Sequence, residues 1–402
     1  MALPNIPPEL WCHIFQFLST ADEVTDSSSD AWANIVTANP KHTYVPSRAV
    51  IECNEAKRAV GLVCKDFYEL SRPVVLETIT LWNIDSMRYL ARQIREKSEI
   101  ARVVERSTKR IDFRLTKTPF RRERQTVGDV EIVINSSRNL TCLKLPDYDW
   151  HSAGYSISDV VSKTCTLLDV LYYPQTLLWP ELPSTLNSFN NLRVLDLTAI
   201  NDREVLGPCE FPLLHTLIGS LDVVCSRFAD ARLPSLRTLV FKRLLQSSFD
   251  IAPFFQCHGK NIESLDMSGH AGLFERRTLE LLPNVRDVVM DVWDRKAIGR
   301  MWPNVQKFGI CNLASSRASS LAATVYSLGS IHLQRVKGNY PNLRTIRILD
   351  GTIVRLLRER NSMAAHYERG DCAIGQSGLR MVMDICFSRQ FNSPQSSTRS
   401  SQ

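Results

Sequence analysis

Leu233-Pro234-Ser235-Leu236-Arg237-Thr238-Leu239-Val240-Phe241 is the stretch that decides the fold. With Φ for an apolar residue, its core reads Φ-x-x-Φ-x-Φ, from Leu236 through Leu239 to Phe241, two residues after a proline. That spacing suits a short strand whose Φ residues point inward, entered from a bend where no main-chain donor is needed. The phrase returns four times with its proline, at Phe211–Leu217, Leu282–Met290, Trp302–Ile310 and Tyr340–Ile348. Copies without proline start at Leu140, Leu192 and Ile262, and a weaker one starts at Leu168. One such strand cannot bury its apolar side alone, so the copies predict stacked units of a solenoid.

The first Φ of each copy falls at 140, 168, 192, 214, 236, 262, 285, 305 and 343, so neighbouring starts are 20 to 28 residues apart until the last gap of 38. All but that last gap lie in the leucine-rich-repeat window of about 20–29 residues. The last gap holds Ala314–Val325, small and helix-prone, which reads as an insertion or an overlooked unit. The body thus resembles the leucine-rich-repeat family. The family's asparagine, eight positions after the first Φ, is missing; Tyr148, Ile200 and Asp222 stand at three of those places. The resemblance therefore implies an irregular solenoid with no asparagine ladder for its turn carbonyls. It also implies a concave face built from outward strand positions, and Thr238, Val240, Lys242, Asp266, Asp287, Asp291, Lys307 and Arg347 are the candidate contacts to a target there. Charges of both signs sit among small and apolar residues, which favours a protein partner over nucleic acid.

Ahead of the repeats, Leu10, Trp11, Ile14, Phe15 and Leu18 make one apolar face at helical spacing. Pro7 and Pro8 suit the helix entry and Glu9 complements its dipole. Residues 22–30 are acidic and Ser-rich, and read as a loop. Helical spacing resumes from Ala56 through Val60, Val63, Cys64, Phe67 and Leu70, and Pro73 is expected to end it. A strand is predicted over Val74–Trp82, then one long amphipathic helix over Ser86–Glu105.

Ile6-Pro7-Pro8-Glu9-Leu10 with Ile14-Phe15-Gln16-Phe17-Leu18, followed later by Val63-Cys64-Lys65-Asp66-Phe67, Leu70, Pro73 and Leu76–Leu81, resembles the F-box family. The two halves occur in the family's order, but Leu18 and Ala56 are separated by a longer insertion than the family carries. Closure entropy grows slowly with loop length, so such an insertion is tolerable. The resemblance implies docking to a Skp-type adaptor, and through it to a cullin–RING ubiquitin ligase. Pro7, Leu10, Ile14, Phe15, Leu18, Val63, Cys64 and Phe67 would supply that interface or its support. The expected architecture is α/β: an F-box over 1–81 with an insertion at about 20–55, a solenoid over 82–375, and a C-terminal segment over 376–402 ending in a Ser-rich tail.

No GxxxxGK[ST] loop, GxSxG elbow or HExxH helix occurs. The 11 cysteines never fall in a CxxC pair, so no zinc knuckle is expected, and Cys64 reads as a packed thiol on an apolar helix face. No metal, cofactor, catalytic residue, nucleic acid or membrane is expected as part of the function. Arg121, Arg122 and Arg124 form a short basic cluster that reads as a solvated face. The start lacks a basic, apolar leader pattern, so a cytoplasmic or nuclear location is expected. Two other readings stand beside the receptor: an interaction scaffold uncoupled from ubiquitin transfer, and an enzyme on a repeat-like body, for which no motif speaks.

Overall fold

A computed structural model describes residues 7–19, 55–57, 59–115, 124–145, 157–173, 189–197, 209–241, 250–267, 276–291, 302–311, 330–331, 334 and 337–348. The acidic insertion, Arg121 and Arg122, the Ala314–Val325 interval and the Ser-rich tail lie outside these residues.

Eleven parallel strands form one sheet in strict chain order. They are β1 (Thr78–Leu81), β2 (Arg110–Phe113), β3 (Cys142–Lys144), β4 (Val170–Tyr172), β5 (Val194–Leu197), β6 (Thr216–Gly219), β7 (Thr238–Phe241), β8 (Ser264–Asp266), β9 (Asp287–Asp291), β10 (Lys307–Cys311) and β11 (Thr345–Ile348). The described helices are α1 (Pro8–Ser19), α2 (Lys65–Val75), α3 (Ile84–Arg95), α4 (Glu99–Ser107), α5 (Arg124–Asn135), α6 (Ile157–Thr164), α7 (Leu221–Arg227), α8 (Ala252–His258) and α9 (Arg276–Glu280). The chain is an α/β, solenoid-like protein.

Each of the nine phrases carries a strand that begins two residues after its first Φ. The middle Φ residues stack in register, from Leu143 through Leu171, Leu195, Leu217, Leu239, Leu265, Val288 and Phe308 to Ile346. They share one buried core with Met87, Leu90, Val104, Val127, Val130 and Val161 from the helices. Each fully buried side chain of this size contributes about 1.5–3 kcal/mol. Along the strand starts, one carbonyl per unit accepts two N–H groups from the next unit. The Arg237 carbonyl, for example, takes Glu263 N at 2.8 Å and Ser264 N at 3.0 Å.

Several expectations need correction. Two units precede the nine. Leu76, Ile79 and Leu81 match the phrase, and β1 pairs with β2 as the first strand of the same sheet. The second unit escapes the pattern because its first Φ is Thr108. β10 pairs directly with β11, so the long last gap places no strand between them in the sheet.

The long helix over 86–105 is two helices. Ser98 N bonds Gln93 O at 3.1 Å and Lys97 N bonds Ile94 O at 3.0 Å, while Lys97 takes a φ of 53°. That is a Schellman stop with lysine in the left-handed position glycine usually holds. Ser98 then caps α4 by accepting from Ala101 N at 3.3 Å.

Pro73 does not end its helix. α2 continues to Val75, and Leu76 N still reaches Arg72 O at 3.0 Å, so the predicted strand begins only at Thr78. Val74 is buried against the α1 side, and that burial holds the extra turn. The helical run from Ala56 to Leu70 is interrupted instead at Leu62–Cys64, where Leu62 N and Val63 N make short turn bonds to Ala59 O and Val60 O.

A polar ladder exists after all, at a different place. Asn139, Asn191, Asn284 and Asn342, each just before a first Φ, donate Nδ2 to the carbonyls of Arg106, Thr166, Lys260 and Pro303 at 2.8, 3.3, 2.7 and 2.8 Å. Asn304 reaches the Pro283 carbonyl likewise, and Ser235 reaches Pro212 at 2.6 Å. Every acceptor lies two residues before the preceding unit's first Φ. The ladder therefore closes the turn carbonyls from the strand entry rather than from the strand exit.

Candidate interaction surfaces

The N-terminal helices have a small aromatic core of their own. Trp11, Phe15 and Phe67 meet with centroids 4.7 to 5.9 Å apart, the Phe15–Phe67 pair edge to face at 5.2 Å. Val60, Leu70 and Val74 close around them. Helix spacing on α1 puts Phe15 on the inner side and leaves Leu10 and Ile14 outside, 52% and 40% exposed. The turn at Leu62–Cys64 throws Leu62 and Val63 outward, 85% and 64% exposed, and Tyr68 follows at 47%. The Tyr68 ring lies against Gly61, where an added Cβ would stand 3.7 Å from it.

The candidate adaptor residues divide accordingly. Pro7, Leu10, Ile14, Val63 and Cys64 are exposed, while Phe15 and Phe67 are buried. Leu18 lies on α1 with its side chain outside the described residues. Cys64 is not a packed thiol; it caps α2, accepting from Phe67 N at 3.5 Å. Leu62 and Tyr68 escaped the sequence reading because helical continuity through 62–64 concealed the turn.

This small unit is tied to the repeats at Arg72. Its Nη1 lies 3.1 Å from Glu69 on its own helix and 3.0 Å from Glu99 on α4, and its guanidinium stacks 5.1 Å from the Tyr68 ring.

The sheet face opposite the helices differs from the open surface expected. Ile218, Val240 and Val289 form a second apolar cluster there, supported by Val194 and Cys311. Val240, Asp266 and Asp291 are buried, whereas Thr238, Asp287 and Lys307 are half-buried. Asp287 pairs with Lys307 at 3.4 Å. Lys242 and the Arg347 side chain lie outside the described residues. Near the first units, Asp112 is fully buried and takes a two-pronged contact from Arg110, both distances 3.0 Å, with Arg114 at 3.5 Å. Buried charges of this kind need such partners to be tolerated.

Along the strand entries runs a row of one residue per unit, Glu77, Lys109, Thr141, Asp169, Arg193, His215, Arg237, Glu263, Arg286, Gln306 and Arg344, of which Lys109, Arg193, Glu263, Arg286 and Arg344 are exposed and the others half-buried. Glu77 and Lys109 pair at 2.7 Å, and Arg237 and Glu263 at 3.5 Å. Burial holds the His215 imidazole below its usual pKa, and the positive charges of Arg193 and Arg237 add to that shift.

The buried thiols are poor nucleophiles. Burial pushes Cys142 and Cys165 up to about 12 and Cys209 to about 11. Among the described residues no group of three or more His, Cys, Asp or Glu side chains is arranged to hold a metal ion, and no helix is long and apolar enough to cross a membrane.

No protein-family model matches the chain, and no curated protein is similar to it. Among solved structures, a chain from the crystal structure of the yeast Rad7 and Elc1 complex is similar over 85% of this chain and 88% of its own, at 12% identity and a TM-score of 0.30. A likeness that slight decides nothing about this chain.

Proposed function

We propose that the chain is a non-catalytic receptor of a Skp–cullin–F-box ubiquitin ligase, with the N-terminal helices docking a Skp-type adaptor and the repeat body holding a protein target. The observation that carries this reading is the apolar surface left by Leu10, Ile14, Leu62, Val63 and Tyr68 on a unit whose own core is already filled by Trp11, Phe15 and Phe67. Five exposed large apolar side chains on so small a unit favour a partner that covers them. The F-box-like order of residues over 6–18 and 62–81 names that partner. On this reading Phe15 and Phe67 support the interface from beneath, and Leu62 and Tyr68 join the contact.

The test is co-purification of the full chain with a purified Skp-type adaptor. The variant Leu10→Ala/Ile14→Ala/Val63→Ala alters exposed side chains, so its fold should survive, as circular dichroism will check. Binding by the wild type and a loss of about tenfold or more in the variant support the reading. A wild type that fails to bind the adaptor removes the ligase and leaves an interaction scaffold.

A further inference from the structure

Arginine occupies the strand-entry position in alternate units at the C-terminal half of the sheet: Arg193 before β5, Arg237 before β7, Arg286 before β9 and Arg344 before β11. The main chain fixes their spacing. His215 N bonds the Arg193 carbonyl at 2.9 Å, Arg237 N the His215 carbonyl at 3.0 Å, and the series continues without a gap through Glu263, Arg286 and Gln306 to Arg344. Hydrogen-bonded strands stand about 4.8 Å apart, so these arginines recur about every 9.6 Å. Arg193, Arg286 and Arg344 are exposed. Arg286 and Arg344 have no ion-pair partner among the described residues. Arg237 is held by Glu263 and by its own Nη1 bonds to the Pro234 and Leu236 carbonyls, at 3.3 and 3.0 Å.

A polyproline-type chain advances about 9.3 Å every three residues. A carboxylate at every third position of such a chain would therefore meet one arginine each. A β-type chain repeats its side about every 6.7 Å and would fall out of step. A nucleic acid backbone carries charge far more densely, about one phosphate per 3.4 Å of each duplex strand, and would meet Glu263 in the same rim. We infer that this arginine rim, rather than the sheet face, binds an acidic segment of a partner protein in extended, polyproline-like form, with a carboxylate at every third residue. The inference rests on the repeat body being the target-binding part, and it is independent of what the N-terminal helices bind.

The test uses the full chain without adaptor, so a failure of adaptor docking leaves it untouched. Fluorescence anisotropy is read with a labelled peptide of repeated Glu-Pro-Pro triplets. Binding that weakens as salt rises is expected. Arg286→Glu/Arg344→Glu should weaken it by about tenfold or more, and the milder Arg286→Gln/Arg344→Gln by less. Glu263→Gln, which removes a competing carboxylate, should tighten it by roughly two- to fivefold. Absence of peptide binding, or binding indifferent to both double variants, overturns the inference. Equal binding of a peptide with glutamate at every second residue overturns the register, and equal binding of a single-stranded oligonucleotide of the same charge overturns the choice of partner.

Discussion

Thr108 donates its hydroxyl hydrogen to the Leu76 carbonyl at 2.8 Å. The two residues hold the same place in successive units, the first Φ of the phrase, where every later unit carries an aliphatic side chain. Thr108 is fully buried, so its hydroxyl must be satisfied, and the main chain of the preceding unit does so. Thr108→Val would complete the apolar column and keep the shape, yet leave that carbonyl without its donor. The expected cost is about 1 kcal/mol or more. Urea denaturation checks it: the midpoint should fall for valine, while serine keeps the donor and should lose only the burial of one methyl, about 0.8 kcal/mol. An unchanged midpoint in the valine variant would mean that water replaces the hydroxyl.

The asparagine ladder predicts both a loss and a gain. Asn304→Ala and Asn342→Ala each remove one side-chain bond to the preceding turn and should each cost about 1 kcal/mol. Asn139 and Asn342 lie at distant units, so their alanine variants should add within about 0.5 kcal/mol. Leu213 holds the equivalent position before Leu214 and is 39% exposed, an apolar side chain where its neighbours carry Asn191 and Ser235. Leu213→Asn should therefore raise the melting temperature, its amide reaching the Asn190 carbonyl. A fall in melting temperature would mean that this turn is too open for the bond.

These residues also mark where the sequence could be read and where it could not. The period of the phrase located nine strands, each beginning two residues after the first Φ, because Φ-x-x-Φ-x-Φ is the imprint of the core the strands share. It passed over β2, where a single Thr108 replaced the apolar signal with a hydrogen bond visible only in three dimensions. Asn284, Asn304 and Asn342 stood in plain view after a proline, and Asn139 and Asn191 held the same place without one, but nothing local shows which carbonyl they reach in the preceding unit. Lys97 hid the helix break, since a lysine in the left-handed region carries no compositional mark. The division of Leu10 and Ile14 from Phe15 follows from helical spacing alone. The exposure of Leu62 does not, because it depends on the turn that stops the helix at Gly61. Burial of Val240 and Asp266 was equally hidden, since alternation along a strand says which face a residue takes and not whether that face is open.

Gly259 is required for closeness rather than for backbone freedom. Its φ is −59°, ordinary for any residue, but an added Cβ would stand 2.2 Å from the Leu281 carbonyl oxygen. Main chain cannot swing away as a flexible side chain can, so Gly259→Ala should cost about 1–3 kcal/mol. Gly338 offers the contrasting case, with a φ of +80° and nothing within 4 Å of an added Cβ. Gly338→Ala should cost about 1–2 kcal/mol through backbone strain alone. A compensating Leu281 change cannot relieve the first clash, since the offending atom is main chain. Thermal melts of the two variants with and without Leu281→Ala separate the cases, and rescue of Gly259→Ala would refute the main-chain clash.

His258 gives the fold a pH dependence of defined sign. The ring is 6% exposed, sits 4.9 Å from the Phe254 ring, and places Nε2 3.0 Å from the Phe228 carbonyl, so that nitrogen carries the hydrogen. Burial holds its pKa below the usual value, while bonding to the main chain at Phe228 and Ala229 acts in the opposite sense. The unfolded chain takes up a proton near pH 6.5, before the folded chain does. Above that pH both states hold a neutral ring and the contribution to stability is complete. As pH falls below about 6.5 the unfolded state gains protons that the folded state refuses, and stability declines until the folded pKa is passed. His258→Gln keeps an amide donor for Phe228 and removes the titration. It should be less stable than wild type at pH 8, because the ring packing is lost, and the gap should narrow steadily towards pH 5. His215 shares the direction of shift but is present in both proteins, so it cancels from the difference. A gap that stays constant across that range would place the titrating group elsewhere.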